Sequence, residues 1–315
     1  MRIIHSDDFA IAFPRANMLH PADTRKSAHA WSLIAKSLPE ERLRRLLVPV
    51  DRPAGEEELR LVHSVAYLER LRTSASVAEI AEVPLIAVAP YALLEKFLLT
   101  PMRLAVQGTL LACISALQTG LAASTGGGFH RARPDGGAGF SVYADAAVAL
   151  TLLRNSRALG PQDWVAHIDL DAHMGSGLAH CFMMDPRVRL FDMFNDLAYP
   201  RDRAARERLD MAVPVLPHTG GEAYLAQLRE TLPGFLNART HRLAIYTASG
   251  NAIAADWVGG LQLSETELLE RDRYVIREIA SRGIPLVVLA GGGYTAIAHK
   301  LLATTLIWMA EAYGK

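Results

Sequence analysis

Short apolar runs rich in β-branched residues alternate with longer helical patterns along this chain, and this alternation restricts its fold more than any other feature. Continuously apolar strands separated by helices are typical of a parallel sheet that is covered on both faces. The sequence therefore predicts an α/β fold with a mostly parallel central sheet and helices on both faces. The predicted strands are RIIHS, LAAST, WVAHIDL, VRLFDM, RLAIYTA and PLVVLAGG, and the predicted helices cover 24–36, 102–118, 144–157, 222–231, 265–281 and 296–313.

The composition of the 315 residues is that of a globular protein with a large core, since half of them are hydrophobic and 21% are charged. We find no internal repeat and no proline- or glycine-rich linker, so we expect one domain over 1–315. Lysine plus arginine and aspartate plus glutamate both total 33. This balance gives no electrostatic reason to expect nucleic acid or an anionic membrane as a partner. We expect a small or uncharged partner instead.

The cysteines and the apolar segments bear on the compartment. Cys113 and Cys181 form no CxxC pattern, which argues against a disulfide framework or a thiolate zinc site and fits a reducing compartment. The N-terminus MRIIHSDDFAIAFP carries acidic residues where a signal peptide has its apolar segment. The longest apolar run, VPLIAVAPYALL, contains Pro84 and Pro90 and is too short to cross a bilayer. We therefore expect a cytoplasmic protein with no membrane partner.

Residues that carry chemistry follow the predicted strands, at the ends where parallel sheets collect their functional groups. The sequence DLDAH follows WVAHI and supplies Asp169, Asp171 and His173. In an extended strand, residues two apart share a face, so these three side chains are expected to point the same way. Two carboxylates and an imidazole suit a divalent metal with an open coordination position, and zinc is the usual choice for hydrolysis. The alternative is a hydrogen-bonded polar cluster at the end of a strand.

Two glycine turns supply further candidates. GGGFH places His130 beside a backbone that permits positive φ angles and the close approach of a ligand. With a carboxylate on its other nitrogen, His130 would transfer protons, and the alternative is a glycine hinge with an incidental histidine. AGGGY would direct the Tyr294 hydroxyl into a cavity as a donor to a developing oxyanion. The alternative there is a mobile turn with a half-buried tyrosine.

The order of these motifs, which is GGGFH, GFxxYxD, DLDxHxGxG and then GGGY, resembles the histone deacetylase family of the arginase/deacetylase fold. The segments MLHPADTRK, LRLVHSVAYLERL, EIAEVPLIAVAP, FDMFNDLAYPRDRA and DWVGGLQLS extend the resemblance over nearly the whole chain. They are nearest to class IV deacetylases and their bacterial relatives. The resemblance implies a sheet of about eight strands and a zinc-dependent hydrolase of acyl-lysine or related small amides.

The resemblance also assigns roles to the metal and proton-transfer residues. Asp171 and His173 correspond to the first two zinc ligands, and Asn251 stands at the position of the third. Asp169 corresponds to the carboxylate that orients His130. In the family, zinc activates the scissile carbonyl, water attacks it, and a pair of histidines manages the protons.

The substrate-binding roles come from the remaining motifs. Gly139 and Phe140 correspond to the residues that line the acyl-lysine tunnel, and Gly292 belongs to the glycine turn that borders the substrate. Tyr294 corresponds to the tyrosine that polarises the scissile carbonyl. These four residues complete the expected site.

Three positions depart from the family pattern. Arg131 follows His130 where the second histidine is expected, Ser176 replaces the acid or amide of DxHxG[DN]G, and Asn251 replaces an aspartate. An asparagine removes one negative charge from the ligand set, and an arginine cannot lose its proton near neutral pH. A guanidinium that faced the metal would oppose its binding. Arg131 is therefore expected either to turn away or to take the position of the cation and pair with Asp171.

Two functions follow from these residues. The first is a deacylase with altered or impaired catalysis, in which His130 alone transfers protons. The second is a catalytically inactive, zinc-free protein that holds an anionic ligand or a protein partner beside Arg131, because a guanidinium offers a bidentate fork to a carboxylate. Zinc content separates the two. Nucleic-acid binding rests only on runs such as ERLRRLL, a pattern typical of the solvated face of a helix.

Overall fold

The central sheet is the frame on which the rest of the chain is arranged. The computed structural model describes residues 1–11, 23–293 and 295–314. Within these ranges the chain forms one sheet of eight parallel strands in the order β2-β1-β3-β8-β7-β4-β5-β6. The strands are β1 (Arg2–His5), β2 (Leu47–Pro49), β3 (Leu121–Ser124), β4 (Trp164–Asp169), β5 (Val188–Asn195), β6 (Met211–Val215), β7 (His241–Thr247) and β8 (Leu286–Leu289).

Helices occupy the connections between the strands. Short 3₁₀ turns cover Asp7–Phe9 and Pro84–Val88, and a π-helical segment covers Glu95–Leu99. The α-helices are α1 (Lys26–Ser37), α2 (Glu40–Leu46), α3 (Glu56–Leu59), α4 (Val65–Arg70), α5 (Ser74–Ala81), α6 (Tyr91–Leu94), α7 (Thr100–Thr119), α8 (Asp145–Asn155), α9 (Ser176–Cys181), α10 (Arg203–Arg208), α11 (Gly221–Asn237), α12 (Glu265–Ala280) and α13 (Ala298–Tyr313). Parallel strands joined by helices confirm the predicted α/β fold.

Both faces of the sheet are buried. In β8, the neighbouring residues Val287 and Val288 are fully buried and belong to different hydrophobic clusters, because successive side chains of a strand point to opposite faces. Helices α1, α11, α12 and α13 cover the face of Val288, and α7 and α8 cover the face of Val287. The prediction of helices on both faces is therefore confirmed.

Prolines lie at two of the places where the elements differ from the prediction. The six predicted strands are present, but the two edge strands β2 and β6 were not predicted. β6 contains Pro214, which lacks an N–H donor and is tolerated because an edge strand pairs on one side only. Helix α11 continues through Pro233 to its end, whereas the sequence predicted that it ends at residue 231.

The helical stretch Tyr91–Thr119 is longer than the sequence indicated. Pro101 lies in the first turn of α7, where a proline costs little, so the helical run continues past it. By length and composition this stretch could cross a membrane, which corrects the expectation drawn from VPLIAVAPYALL. Its most apolar window is 67% buried, and α7 packs against β1 and β3. In this fold the stretch therefore serves as a core helix.

The carboxyl ends of the four central strands bring the candidate residues together. β3, β8, β7 and β4 are neighbours in the sheet, and the loops that follow them include 126–131, 290–293, 248–251 and 169–173. Because the strands are parallel, all four loops leave the same edge of the sheet.

Candidate active site

The residues after β4 are folded by their own carboxylates. β4 ends at Asp169, whose Oδ1 accepts a hydrogen bond from the backbone N–H of Asp171 at 3.0 Å. Asp171 Oδ1 accepts in the same way from the N–H of His173 at 2.8 Å. The three residues are buried, with 2%, 0% and 5% of their surface exposed. Two successive turns bring them together, and not one face of an extended strand as the sequence suggested.

His130 and Asp169 form the pair that the sequence predicted. His130 Nδ1 lies 2.8 Å from Asp169 Oδ2, and both side chains are buried. Because a carboxylate accepts, Nδ1 carries the proton and Nε2 presents its lone pair. Burial acts to lower the pKa of His130, but the negative charges of Asp169 and Asp171 outweigh it and raise that pKa above its ordinary value.

The glycine loop that carries His130 is fixed by a buried acid. Gly127 and Gly128 both have positive φ angles, of 82° and 85°. Asp145, at the start of α8, accepts hydrogen bonds from the N–H of Gly128 at 2.8 Å and of Phe129 at 2.9 Å. Burial raises the pKa of Asp145 although these hydrogen bonds lower it. The loop is therefore held in place at two successive amides, which argues against a simple hinge.

Arg131 turns away from the metal-ligand candidates. Its Nη2 donates to the carbonyl oxygen of Tyr199 at 3.0 Å, and its guanidinium lies over the Tyr199 ring, 5.2 Å from the centroid. Its Nη1 packs so closely on Gly139 that a Cβ built there would lie 2.4 Å from it. Only 6% of Arg131 is exposed. Of the two arrangements that the sequence left open, the structure therefore has the one in which Arg131 makes no ion pair with Asp171.

Asp171, His173 and Asn251 meet at one point. Asn251 Nδ2 donates to Asp171 Oδ1 at 3.3 Å and lies 3.3 Å from His173 Nδ1. His173 Nε2 lies 3.2 Å from the carbonyl oxygen of Val258, which can only accept, so Nε2 carries a proton and Nδ1 presents its lone pair. This lone pair faces Asp171 Oδ1 at 2.9 Å. Two acceptors at that distance need a cation or a proton between them.

The unpaired oxygens of Asp171 and Asn251 fit a metal ion. Asp171 Oδ2 and Asn251 Oδ1 are buried and have no hydrogen-bond partner in the described part of the chain. Burial opposes ionisation of Asp171, but the positive charge of His130 acts the other way and holds its pKa well below the usual range. A carboxylate, an imidazole nitrogen and an amide oxygen therefore converge with one coordination position left open, as in catalytic zinc sites.

A cavity of about 140 Å³ leads to Asp171, while His173 and Asn251 lie behind its lining. His130, Gly139, Phe140, Asp171 and Gly292 line it, as expected from their predicted roles. A Cβ at Gly292 would lie 2.7 Å from Asp171 Oδ2, so only a glycine allows this turn to approach the carboxylate. Phe140, at the wall of the cavity, has a φ of 65°, which residues other than glycine rarely adopt.

Tyr294, the predicted carbonyl-polarising residue, lies outside the described residues. The same is true of residues 18–22 of the MLHPADTRK segment. Their expected roles stay predictions.

Lys26 is a residue of this cavity that the sequence did not single out. Its Nζ donates to the carbonyl oxygens of Ala290, Gly291 and Gly292 at 3.2, 2.5 and 2.8 Å. Burial lowers the pKa of Lys26 to about 8, and the negative charge of Asp171 opposes that shift. A lysine at the start of a helix is typical of a solvated position, so only its place in MLHPADTRK could have indicated this contact.

Asp192, in β5, is a third buried acid beside the site. Its Oδ2 accepts from the N–H of Gly175 at 2.7 Å, and its Oδ1 has no hydrogen-bond partner among the described residues. Burial raises the pKa of Asp192 well above its ordinary value, and the negative charge of Asp169 raises it further. This buried carboxyl group therefore needs either a proton or a nearby cation, which again fits an additional cation at the site.

Comparison with known proteins agrees with the motifs. Residues 20–309 match the family model described as "Histone deacetylase domain". The chain is similar to histone deacetylase 2 of Arabidopsis thaliana, with 35% identity over 311 residues, 96% of this chain and 77% of that protein. It is also similar to the histone deacetylase-like amidohydrolase of Pseudomonas aeruginosa, with 25% identity over 255 residues, 77% of this chain and 65% of that protein.

Two solved structures show the same fold. A histone deacetylase homologue complexed with SAHA has 20% identity and a TM-score of 0.73, covering 100% of this chain and 84% of its own. The HDA15 HD domain has 16% identity and a TM-score of 0.75, covering 100% of this chain and 92% of its own. At these identities the likeness concerns the fold, and it confirms the arginase/deacetylase-like architecture. With the family match over nearly the whole length, it follows that this chain belongs to the histone deacetylase family.

Proposed function

We propose that this chain hydrolyses the acyl amide of acyl-lysine or of related small amides in a metal-dependent reaction. The observation that carries the proposal is the meeting of two features at one cavity, the His130–Asp169 pair and the unpaired oxygen of Asp171. The cavity volume of about 140 Å³ suits a slender chain, because pockets for drug-sized ligands hold roughly 300–1,000 Å³. The deacetylase and amidohydrolase names of the relatives agree with this chemistry.

Asp171, His173 and Asn251 would hold the metal, and zinc is the ion proposed because carboxylate and imidazole are its usual ligands. When bound, zinc supplies Lewis-acid polarisation of the amide carbonyl. Asn251 contributes a neutral oxygen, so the three ligands carry one negative charge and not two. We therefore expect zinc to bind more weakly here than at a site with two aspartates.

His130 would carry both proton-transfer steps. Its Nε2 accepts a proton as water adds to the carbonyl carbon, and the same nitrogen then returns a proton to the leaving amine. Asp169 holds the proton on Nδ1 and stabilises the imidazolium that forms. Arg131 cannot share this work, because it keeps its proton and is turned toward Tyr199. Tyr294 remains the expected donor to the carbonyl oxygen.

The zinc-free binder has less support. Its anion was expected beside Arg131, but that guanidinium contacts the Tyr199 carbonyl and ring and does not line the cavity formed by the described residues. Zinc that is lost when His173 is replaced by alanine separates the two functions directly.

The decisive experiment combines zinc analysis with hydrolysis of an acyl-lysine peptide. We expect bound zinc after dialysis against a zinc buffer, and turnover that falls at least about 100-fold in His130→Ala, the lower end of general acid–base effects. His180→Ala is the matched control, since His180 pairs with Asp202 and does not line the cavity. Protein that takes up no zinc, or turnover that survives in His130→Ala, would contradict the proposal.

A second experiment tests the departures from the family pattern. The double variant Arg131→His/Asn251→Asp restores the missing imidazole and the second negative charge at the metal. We expect it to bind zinc more tightly and to turn over faster than the natural chain. If adding His173→Ala to this variant does not reduce the zinc bound, the assignment of Asp171, His173 and Asn251 as ligands is wrong.

A further inference from the structure

A second cluster of metal-binding side chains lies apart from the residues just described. Asp23 precedes α1, His29 lies on the first turns of α1, and His299 lies at the start of α13. Helices α1 and α13 pack against each other, so the three residues meet although up to 276 positions separate them. One potential ligand atom from each lies within 4.8 Å of the other two.

The distances from the carboxylate oxygen to the two imidazole nitrogens are close to those between ligands of one ion. Asp23 Oδ2 lies 3.0 Å from His29 Nδ1 and 3.3 Å from His299 Nδ1. Ligand atoms that sit 2.0–2.1 Å from a tetrahedral zinc ion are about 3.3 Å from one another. The three side chains therefore need little movement to coordinate an ion.

Hydrogen bonding alone does not account for the cluster. Asp23 Oδ1 accepts from the backbone N–H of Arg25 at 3.0 Å, which turns Oδ2 toward the two imidazoles. His29 Nδ1 makes a hydrogen bond to that oxygen. His299 Nδ1 is buried, lies close to the same oxygen and lacks hydrogen-bond alignment with any described residue. A buried nitrogen that faces a carboxylate without such a bond is suited to a shared cation.

The exposure of the three side chains leaves an entry path. The side chains of Asp23 and His299 are 12% and 19% exposed, whereas that of His29 is 48% exposed. The cluster is thus closed on the protein side and open on the side of His29, where water can complete the coordination. Lys26 and Lys300 are nearby positive charges that act against a cation.

We propose that Asp23, His29 and His299 form a second metal site, for a divalent transition ion of the zinc class, at the wall of the catalytic cavity and with ligands other than Asp171, His173 and Asn251. Two imidazoles and one carboxylate favour zinc, cobalt or nickel over magnesium or calcium, which prefer oxygen ligands. The ion would join the start of α1 to the start of α13. Because Asp23 and Lys26 line the catalytic cavity, it would also fix one wall of that cavity.

The experiment counts zinc per chain in single-residue variants of the whole protein after dialysis. We expect His29→Ala, His299→Ala and Asp23→Asn each to lose one equivalent relative to the natural chain, and His180→Ala to lose none. His29 is nearly half exposed, so His29→Ala keeps the fold and decides the question even if His299→Ala does not fold. An unchanged ratio in His29→Ala and Asp23→Asn would overturn the proposal.

The same series separates this site from the catalytic one. His173→Ala removes a proposed catalytic ligand, and the equivalent of zinc that remains must then disappear in His173→Ala/His299→Ala. In the His173→Ala chain we expect zinc at about 100 times its Kd to raise the melting temperature by about 3–6 °C, with no shift in the double variant. If the catalytic site holds no zinc, the natural chain binds one equivalent, which His299→Ala removes and His173→Ala leaves in place.

Discussion

Two neighbouring clusters of buried ionisable residues differ in how far their polar groups are paired. In the first, the Arg271–Asp272 network, Arg271 donates to Asp272 Oδ1 at 3.0 and 2.8 Å and to the carbonyl oxygens of Leu170 and Ser249 at 3.0 and 2.7 Å. Tyr246 and Thr305 donate to the two carboxylate oxygens of Asp272 at 2.5 and 2.8 Å. Each charge in this network has an opposite charge or a donor.

The second cluster is the candidate active site, and its acceptors exceed its donors. Asp171 Oδ2, Asn251 Oδ1 and Asp192 Oδ1 are buried without hydrogen-bond partners in the described part of the chain. His173 Nδ1 and Asp171 Oδ1 lie 2.9 Å apart, and the Asn251 Nδ2 amide lies 3.3 Å from each. Buried polar groups are nearly always satisfied, and each exception calls for a ligand, an ion or a functional reason.

The comparison shows how buried charge that supports the fold differs from buried charge that serves a site. The Arg271–Asp272 network binds the carbonyl oxygens of Leu170 and Ser249. Leu170 directly precedes Asp171, and Ser249 lies two residues before Asn251. The satisfied cluster therefore positions the backbone from which the unsatisfied one projects. Breaking the Arg271–Asp272 network should therefore lower the stability of the fold, whereas removing a negative charge from the candidate active site should raise it.

The largest effect is expected from Arg271→Met, which removes the cation of the satisfied network and keeps a similar length. Asp272 would be left buried with no compensating charge, and two carbonyls would lose their donor. Breaking a buried pair in this way costs about 3–5 kcal/mol, which the midpoint of urea unfolding measures. Arg203→Met is the matched control, because the Arg203–Glu207 pair is exposed and should leave the midpoint unchanged. Equal urea midpoints in the two variants would contradict a stabilising role of the Arg271–Asp272 network.

The fold and much of the site could be predicted from the sequence because their signals are local. The alternation of apolar strands and helices gave the parallel sheet, and the motifs at strand ends located His130, Asp169, Asp171, His173 and Asn251. A residue that directly follows a strand of a parallel sheet has its position largely determined by that strand. The structure accordingly brings these five residues to one edge.

The rest depends on contacts between distant segments, which local patterns do not encode. Arg131 could pair with Asp171 or turn to Tyr199, and only the packing of the 199 loop decides between them. Lys26 bonds to a turn more than 260 residues away. His299 reaches Asp23 only because α1 and α13 are neighbours. None of these pairings has a signature at short range.

An intermediate effect on stability is expected from a change of pH. It tests His63, a buried histidine whose two ring nitrogens both have partners. His63 is 2% exposed, its Nε2 accepts from the N–H of Ala144 at 3.0 Å, and its Nδ1 lies 3.1 Å from the carbonyl oxygen of Arg133. Burial lowers the pKa of His63 to about 4, despite the opposing hydrogen bond to Arg133. The folded state therefore favours the neutral form of His63, whereas it raises the pKa of His130 and favours the charged form of that ring.

The direction in which stability changes with pH follows from proton uptake. Between the ordinary pKa of histidine, 6.5, and the folded value of about 4, the unfolded chain binds more protons than the folded chain, so stability falls as the pH falls through this window. His63 alone should account for a loss of about 2 kcal/mol between pH 7 and pH 5. Urea midpoints at the two pH values measure it, and in His63→Gln the difference between them should shrink by that amount. A pH dependence that is the same in both chains would contradict the assignment.

The smallest effect is expected from Asp192→Asn, and it has the opposite sign. Asp192 is fully buried beside Asp169, and its pKa is raised, so its stabilising contribution is present at low pH and is lost as the pH rises through the folded pKa. At neutral pH an amide of the same shape keeps the acceptor for the N–H of Gly175 and removes the repulsion. We expect a gain of about 1 kcal/mol, typical of charge removed from a functional site. Thermal unfolding in a chelator measures this gain.

Asp272→Asn, the matching change in the Arg271–Asp272 network, should lose stability under the same conditions. Added zinc should reduce the gain in Asp192→Asn, because the cation then balances the same charge, and a gain that is unaffected by zinc would show that Asp192 does not sense the metal.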